Sequence, residues 1–472
     1  MDPAAFRQHG HALVDWIAEY LEHPEKYPVL SRVAPGDVAA ALPAAAPDDP
    51  EPFDRIMADF ERVIVPGLTH WNHPSFFAYF AITASAPGIL ADLLSAALNQ
   101  QAMLWRTSPA ATELEAVTLG WLRQMIGLPE SFEGVIYDTA SISTMHALAA
   151  AREAIHDVRA RGLVGRAELP SVRIYASQEA HSSVDKSAIA IGLGHDAVRK
   201  IAVDADFRMR ADSLERAIDE DRRNGRRPLA VVATVGTTST TSIDPVPAIA
   251  DICEREHLWL HVDAAYGGVA AILPSHAHVL AGAGRADSLV VNPHKWLFTP
   301  FDLSAFFCRH MDILKHAFAV TPEYLKTAES CVAGNLMDTG IQLGRRFRSL
   351  KLWFILRTYG VSGVREHLAR HIALAQELAS WIDADPDFER LAPVPFSVVC
   401  FRWRPAERQL TDEEIDLANE RLMNRVNRTG QAFLSHTRVN GHFALRIAIG
   451  HERTQAEHVR QVWTLLSERP ID

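Results

Sequence analysis

The chain has 472 residues, of which 48% are hydrophobic and 22% charged, and its 47 basic and 58 acidic residues give a formal net charge of −11. This length allows two or three domains, and the acidic balance argues against a nucleic-acid-binding protein. The N-terminus has no pattern of a signal peptide, and no apolar run reaches the roughly 18 residues of a membrane span. The four cysteines form no Cys-x-x-Cys pair. We therefore predict a cytoplasmic protein with reduced thiols, no metal site and no membrane partner.

The N-terminal region combines predicted helices with an aromatic cluster. Apolar residues recur at helical spacing between Phe6 and Tyr20, which predicts a first helix, and a second is expected from about Pro50 to Val65. The segment from Ala39 to Pro47 is rich in alanine and proline and resembles an arm. An aromatic cluster of this kind is more typical of a core or an interface than of a ligand site; its members are Trp71, Phe76, Phe77, Tyr79 and Phe80.

Strands and helices are predicted to alternate from about residue 110 onwards. An amphipathic helix is expected over Glu113–Ile126, a second helix runs to about Arg161, and a third follows His181. The predicted strands are Gly134–Tyr137, Arg173–Ala176, Ala230–Thr234, Leu258–Leu260 and Leu289–Val291. This alternation argues for an α/β fold with a parallel sheet.

The pattern changes at about Ser349 to long amphipathic helices and then to strands, which is typical of a smaller α+β domain. The predicted elements are helices Leu350–Tyr359 and Val364–Asp383 and strands Ser397–Arg402 and Ala444–Ile449. We predict three parts: an N-terminal helical arm (1–85), a large α/β domain (86–348) and a small C-terminal α+β domain (349–472).

The most informative residues are an aspartate and a lysine that each follow a predicted strand. Asp263 comes after an apolar run, and Lys295 follows the strand that ends at Val291. Ligands of open α/β sheets bind at the carboxyl ends of the strands, so an acid and an amine are delivered to one crevice. An aspartate for a pyridinium nitrogen and a lysine for a Schiff base are the two groups that pyridoxal phosphate needs. The alternatives are an aspartate that caps a turn or pairs with an arginine, and an exposed lysine.

Three further polar segments have a functional and a structural interpretation, and for each alone the structural one is favoured. Thr139-Ala140-Ser141, between a strand and a helix, could bind a phosphate or cap the helix. The hydroxyl-rich loop Gly236–Ser242 could donate to a phosphate or a phenolate, or satisfy its own turns. His181 could stack on a heterocycle and move protons, or be an ordinary loop histidine.

Three other patterns are not expected to bind a cofactor or a metal. Gly192–Ala197 matches a loose dinucleotide pattern but follows a predicted helix, where that pattern has no meaning. His367 and His371 lie four residues apart on a helix without a third ligand, which favours solvent-facing histidines over a zinc site. Arg345–Arg348 could meet an acidic surface of a partner subunit or a substrate carboxylate.

Together these segments closely resemble the group II pyridoxal-phosphate decarboxylases, the aromatic-L-amino-acid decarboxylase family. The resemblance covers nearly the whole chain, in order, and includes Pro66–Trp71, Phe77–Phe80, Ser108–Glu115, Ala180–Ser183, His261–Gly267, Asn292–Trp296 and Leu343–Arg348. It implies fold type I, the aspartate-aminotransferase-like architecture, with a swapped N-terminal arm, a mostly parallel sheet in the large domain and a small C-terminal domain. It also implies an obligate homodimer with active sites at the subunit interface.

The resemblance implies roles for individual residues. Lys295 would form the Schiff base with pyridoxal 5'-phosphate, and Asp263 would pair with the pyridine nitrogen. His181 would stack on one face of the ring and Ala265 on the other. The residues that would hold the phosphate region or otherwise contact the cofactor are Thr139, Ala140, Ser141, Thr238, Asn292 and His294.

The implied activity is decarboxylation of an aromatic L-amino acid to its amine and carbon dioxide. Tyr324 matches the family's mobile-loop tyrosine, which protonates the substrate α-carbon; members with phenylalanine there tend to form aldehydes. The alternatives are an aromatic aldehyde synthase, a decarboxylase of a non-aromatic amino acid, and a non-catalytic binding protein that keeps the fold.

The same resemblance predicts the substrate pocket. Trp71, Tyr79 and Phe80 favour a flat aromatic substrate, whereas Ile82 replaces a threonine that could bond a ring hydroxyl and so weakens selection for catechols. Gln101 and Met103 complete the predicted pocket. Tryptophan, phenylalanine, tyrosine and DOPA are the expected candidates.

Overall fold

The computed structural model describes residues 1–155, 171–320 and 334–468. The chain divides into two compact units: a first unit of Met1–Ala81, Ser380–Glu389 and Phe401–Asp472, and a second unit of Ile82–Ala379 and Arg390–Cys400. The three-part division made from the sequence stays a prediction. Tyr324, Cys331 and the predicted end of a helix at about Arg161 lie outside the described residues.

A seven-stranded sheet forms the core of the second unit, in the order β1-β7-β6-β5-β4-β2-β3. Neighbouring strands from β3 to β6 run parallel, whereas β7 is antiparallel to both β6 and β1. The strands are β1 Glu133–Tyr137, β2 Val172–Ser177, β3 Val198–Ile201, β4 Arg227–Thr234, β5 Trp259–Asp263, β6 Ser288–Val291 and β7 Ser304–Cys308. The mostly parallel α/β architecture of fold type I is thereby confirmed.

The central strands β5 and β6 are buried along their whole length. Such continuous burial is typical of parallel strands that are covered on both faces. The helices of this part of the chain are α4 Ala86–Leu98, α5 Pro109–Met125, α6 Ala140–Ala154, α7 Ser183–Ala190, α8 Ala211–Arg223, α9 Val246–Glu256, α10 Pro293–Trp296, α11 Met311–Phe318 and α12 Ser349–Ala384. Gly360 interrupts α12 with a φ of 60°, which confirms the two successive helices predicted there.

The sequence did not predict β3 or β7. β7 is a fully buried run of five residues, and periodicity alone cannot distinguish so short an apolar run from a buried helical segment. β3 has only one buried residue, Ile201, so it lacks the apolar pattern of the central strands. Both strands depend on pairing with β6 and β2 rather than on their own composition.

The first unit begins with helix α1 Pro3–Glu22, where the Asp2 side chain accepts hydrogen bonds from the amides of Ala4 and Ala5. The second predicted helix is shorter than expected, since α3 Phe53–Asp59 passes into a π-helical turn over Phe60–Ile64. The other helices are α2 Asp37–Ala41, α13 Asp412–Thr429 and α14 Ala456–Ser467. Within the described ranges, no helix is both long and apolar enough to cross a membrane.

A second, four-stranded sheet has the order β10-β11-β9-β8. Its strands are β8 Phe388–Arg390, β9 Val398–Trp403, β10 Ser435–Val439 and β11 His442–Ala448. β9 and β11 confirm the two strands predicted near the C-terminus, and β10 pairs antiparallel with β11. The sequence did not predict β8 and β10.

A buried ion pair between Glu115 and Arg345 links α5 to the segment before α12. The Arg345 guanidinium lies 2.6 Å from Glu115 Oε1 and also donates to the carbonyl of Ile136 at 3.0 Å. Glu115 is 2% exposed and Arg345 8% exposed. The suggestion that Arg345 meets a partner subunit or a substrate carboxylate is therefore wrong, because its charge is already paired inside the second unit.

We expect Glu115→Gln to lower the free energy of unfolding by about 3 kcal/mol, since it leaves the buried Arg345 charge without a counter-ion. The shift of the thermal unfolding midpoint measures this loss. The matched control is Asp212→Asn, which breaks an ion pair with Arg216 at the surface and should shift the midpoint much less. Equal shifts in the two variants would contradict a stabilising role for the buried pair.

Candidate active site

Asp263 and Lys295 lie at the carboxyl ends of two adjacent parallel strands. Asp263 is the last residue of β5 and is in register with Val290 of β6. The chain leaves β6 at Asn292, whose amide donates to the carbonyl of Ala265 at 3.0 Å, and then forms the one-turn helix α10 that carries Lys295. The sheet therefore brings the predicted acid and the predicted amine to one edge.

The Asp263 carboxylate is held at the edge of the sheet rather than in solvent. Its Oδ1 accepts a hydrogen bond from the amide of Ala265 at 3.1 Å, and the residue is only 6% exposed. This bond is the turn cap that the alternative interpretation of Asp263 predicted, and a single amide only partly offsets the cost of burying a carboxylate. A protonated ring nitrogen is a suitable partner for a carboxylate in this position. Lys295 is half-buried between the buried residues His294 and Trp296.

His181 follows β2 and is electrostatically coupled to both residues. Its Nδ1 accepts a hydrogen bond from the amide of Ser183 at 3.1 Å. Loss of hydration lowers the pKa of the His181 imidazole, the Asp263 carboxylate opposes that shift, and the Lys295 ammonium adds to it. Both charges therefore act on the imidazole of His181. Its side chain is exposed after the carboxyl end of β2, the edge of the sheet at which Asp263 also lies.

The segment Thr139-Ala140-Ser141 opens helix α6, and Thr139 occupies the N-cap position without a capping hydrogen bond from its side chain. The Thr139 hydroxyl instead donates to Asp138 Oδ1 at 3.2 Å. The amides of a first helical turn have no acceptor within the helix, and such amides together with the helix dipole attract a phosphate. The capping interpretation is therefore wrong, and Ser141 is exposed where an anion could reach it.

The hydroxyl-rich loop after β4 is stabilised by its own side chains. The hydroxyls of Thr237 and Thr240 are 3.1 Å apart, and those of Thr240 and Ser242 are 2.9 Å apart. Thr237 Oγ1 also accepts from the amide of Ser242 at 3.0 Å. The structural interpretation holds for these three residues, whereas the predicted Thr238 is exposed and remains available for a ligand.

His294 is a neutral imidazole whose tautomer follows from its environment. Its Nδ1 accepts a hydrogen bond from the amide of Leu303 at 3.0 Å, so the proton lies on Nε2. Burial, together with the nearby Lys295 ammonium, lowers the pKa of His294 to about 3. His294 can therefore donate one hydrogen bond to an anion but carries no charge at neutral pH.

Three buried polar atoms at the ends of β2, β4 and β6 lack a hydrogen-bond partner among the described residues. They are Ser177 Oγ, Thr234 Oγ1 and Asn292 Oδ1. Such atoms are rarely left unsatisfied in proteins, so their position fits a polar cofactor or water at this edge. Of these three residues, only Asn292 is predicted from the sequence; Ser177 and Thr234 each end an apolar strand, which is the signal that could have identified them.

The predicted substrate-pocket residues are divided between the two units. In the first unit, the rings of Trp71 and Tyr79 stack with centroids 5.6 Å apart, and the Arg446 guanidinium lies 4.6 Å from the ring centroid of Phe80. The other predicted residues belong to the second unit: Ile82, Gln101, whose Oε1 accepts from the amide of Arg345 at 2.6 Å, and Met103, which packs near Leu104 and Met337. The pocket stays a prediction.

Two further sequence patterns can be compared with the structure. Gly192–Ala197 follows helix α7, which confirms that it lacks the strand that precedes a dinucleotide site. The expectation that His371 faces solvent is wrong, because its side chain is fully buried and accepts a hydrogen bond from Trp296 Nε1 at 3.0 Å. Among the described residues, no group of three or more histidine, cysteine, aspartate or glutamate side chains could hold a metal ion.

Comparisons with known proteins identify the family of this chain. Residues 35–404 match the family described as the pyridoxal-dependent decarboxylase conserved domain. An aromatic-L-amino-acid decarboxylase of Catharanthus roseus is 39% identical over 100% of this chain and 95% of its own. A phenylacetaldehyde synthase of Arabidopsis thaliana is 38% identical over 99% and 96% of the two chains. The crystal structure of Oryza sativa TDC with PLP and tryptamine has a TM-score of 0.95 at 39% identity, covering 99% of this chain and 98% of that chain.

We expect stability to fall as the pH decreases from about 6.5 towards 4. Burial lowers the pKa of His146 to about 3, of His261 to about 4 and of His294 to about 3. Below about pH 6.5 the unfolded chain therefore binds protons that the folded chain does not, and unfolding becomes more favourable.

The measurement is the thermal unfolding midpoint as a function of pH, for the natural chain and for His146→Gln. Each buried neutral histidine contributes a slope of at most about 1.4 kcal/mol per pH unit. The variant should lose one such contribution and show a shallower decline. Parallel curves for the two proteins would contradict the assignment of His146 as a neutral buried histidine.

Proposed function

We propose that this chain, which belongs to the pyridoxal-dependent decarboxylase family, converts an aromatic L-amino acid to the corresponding amine and carbon dioxide. Membership of the family assigns the cofactor, pyridoxal 5'-phosphate. The observation that carries the proposal is the placement of Asp263 and Lys295 at the carboxyl ends of adjacent parallel strands.

The residues at this edge fit the cofactor group by group. The Lys295 amine would bind the aldehyde, and the Asp263 carboxylate would hold a proton on the ring nitrogen. The first-turn amides at Ala140 and Ser141 would bind the phosphate, and Nε2–H of His294 would donate to it. The bound cofactor supplies a ring that accepts the electrons of the bond between the substrate α-carbon and its carboxylate.

The remaining proposed site residues would contact the two faces of the cofactor ring or supply the proton to the substrate α-carbon. His181 and Ala265 would bracket the ring from opposite sides, and Asn292 and Thr238 would hold its polar substituents. Tyr324 would deliver its phenolic proton to the substrate α-carbon after carbon dioxide has left. This step distinguishes amine formation from aldehyde formation, and a tyrosine at this position favours the amine.

The relatives support an aromatic substrate. They include proteins described as aromatic-L-amino-acid decarboxylase and tryptophan decarboxylase, and a related crystal structure contains L-tryptophan. Trp71, Tyr79 and Phe80 provide aromatic surface for such a side chain. Ile82 offers no hydrogen bond, so we propose that ring hydroxyls are selected weakly and that indole and phenyl side chains are accepted.

The deciding experiment is product analysis of the purified, cofactor-loaded protein with tryptophan, phenylalanine, tyrosine and DOPA, following amine, aldehyde and hydrogen peroxide together. We expect amine with little peroxide. Lys295→Ala should reduce amine formation to background, because the amine that holds the cofactor is gone. The matched control is Lys200→Ala, which removes a surface lysine paired with Asp185 and should retain activity.

The other outcomes of that experiment are equally informative. Stoichiometric aldehyde and peroxide would assign the chain to the aldehyde synthases, the alternative that its 38% identity to a phenylacetaldehyde synthase favours. Turnover of only glutamate or another aliphatic amino acid would overturn the aromatic assignment and leave the cofactor assignment intact.

We also propose a homodimer with active sites at the subunit interface. Helix α4 presents a stripe of exposed leucines at positions 90, 93, 94 and 98, a spacing that places them on one face. Helix α1 has no buried residue along its 20 positions. An exposed apolar helix face such as that of α4 is typical of an interaction site, and a second copy of the chain is the proposed occupant.

Sedimentation velocity tests the homodimer. Leu94→Glu should shift the protein from dimer towards monomer, because it places a charge in the proposed apolar interface. Leu417→Glu, a charge introduced at an exposed leucine of α13, is the matched control and should leave the dimer intact. A natural chain that sediments as a monomer would overturn the proposal.

We propose a cytoplasmic location on the basis of the cysteines. Cys253, Cys308 and Cys400 are buried free thiols. Free thiols are typical of a reducing compartment, in which disulfides are rare.

A further inference from the structure

The one-turn helix that carries Lys295 is fixed by contacts on its buried side. α10 has four residues, too few for a helix to be stable alone, so contacts outside it determine the orientation of Lys295. The next residue, Trp296, is fully buried. Its indole is parallel to the ring of Tyr266, with centroids 4.8 Å apart and an interplanar angle of 6°.

Tyr266 belongs to the segment that follows Asp263. Its stack with Trp296 therefore joins the segment after the aspartate to the helix that carries the lysine. The Tyr266 hydroxyl lies 2.5 Å from the hydroxyl of Ser397, which fixes the outer end of its ring. Phe396 stands edge-on to both rings, at 86° to Tyr266 and 79° to Trp296. An aromatic residue thus lies three positions after the aspartate and one position after the lysine, and these two aromatic residues pack on each other.

His371 fixes the rotation of the indole within the stack. Trp296 Nε1–H donates to His371 Nδ1 at 3.0 Å, and His371 is fully buried on α12. An indole nitrogen can only donate, so the histidine accepts and its Nδ1 carries no proton. The hydrogen bond ties the backbone next to Lys295 to the long helix α12.

We propose that Trp296, Tyr266 and His371 form a positioning unit that sets the Lys295 amine relative to the Asp263 carboxylate. The three side chains act indirectly. They hold the backbone of α10, which carries Lys295, against the backbone of the segment that follows Asp263. The proposal rests on the proposed function in one respect: the geometry that the unit fixes is that of the two groups that hold the cofactor.

The test uses Trp296→Phe, which keeps a ring for the stack and removes the donor, and His371→Leu, which removes the acceptor. We expect kcat to fall at least about tenfold with little change in KM, since misplacement by about 1 Å can cost about a hundredfold. The cofactor absorption band should shift, and less cofactor should be covalently attached to Lys295 after borohydride reduction. His371→Asn has an amide oxygen that can accept the hydrogen bond in place of Nδ1. Compared with His371→Leu, it should restore most of the cofactor absorption band and most of the covalent attachment to Lys295.

The matched control is Trp259→Phe. Trp259 is buried at the opposite end of β5, and its Nε1–H donates to Ser288 Oγ at 3.0 Å. This variant also loses an indole N–H hydrogen bond from a buried tryptophan, but at the end of β5 that lies away from Asp263. It should therefore lose stability without altering the cofactor absorption band or the covalent attachment of the cofactor to Lys295.

The proposal is overturned if Trp296→Phe and Trp259→Phe have the same kcat, the same cofactor absorption band and the same covalent attachment of cofactor to Lys295. The three side chains would then have only a structural role. Failure of the His371→Asn rescue, with the fold intact by circular dichroism, would also overturn the role of the hydrogen bond. A natural chain that binds the cofactor but forms no amine would count against the proposed function alone, because band and attachment are measured without turnover and still decide the proposal.

Discussion

The parallel pairing of β5 with β6 is the constraint on which the rest of the site depends. Their register aligns Asp263 with Val290. The segments that follow the two strands therefore leave the sheet side by side, and the amide of Asn292 donates to the carbonyl of Ala265. A register slip of one residue would send every side chain of a strand to the other face. Continuous burial of both strands prevents such a slip, because each displaced apolar residue would lose its packing.

The same edge of the sheet concentrates polar groups that the protein leaves unsatisfied. Ser177, Thr234 and Asn292 end three different strands and have buried oxygen atoms without a partner in the described structure. Such groups reduce stability, and all three lie at the carboxyl ends of parallel strands, at the edge that we propose holds the cofactor. The buried pair of Glu115 and Arg345 differs from them, because there each buried charge faces a counter-ion.

The relatives share this architecture but not one reaction outcome. A decarboxylase and an aldehyde synthase are both close to 39% identical to this chain across nearly its full length. Identity over the whole chain therefore does not distinguish the two reactions. In the proposed mechanism this distinction depends on Tyr324.

The sequence by itself determined the alternation of strands and helices, the acid and amine at two strand ends, and the family resemblance. These features depend on local patterns: apolar runs, the residues that end them, and ordered motifs. Tertiary structure alone decided that Arg345 pairs with Glu115, 230 positions away, and that His371 accepts from Trp296, 75 positions away. Helical spacing could not reveal these partners, because it shows which residues share a face but not which distant side chain that face meets. The structure likewise separated Thr238 from its neighbours in the hydroxyl-rich loop, since only folding decides which hydroxyls bond to each other.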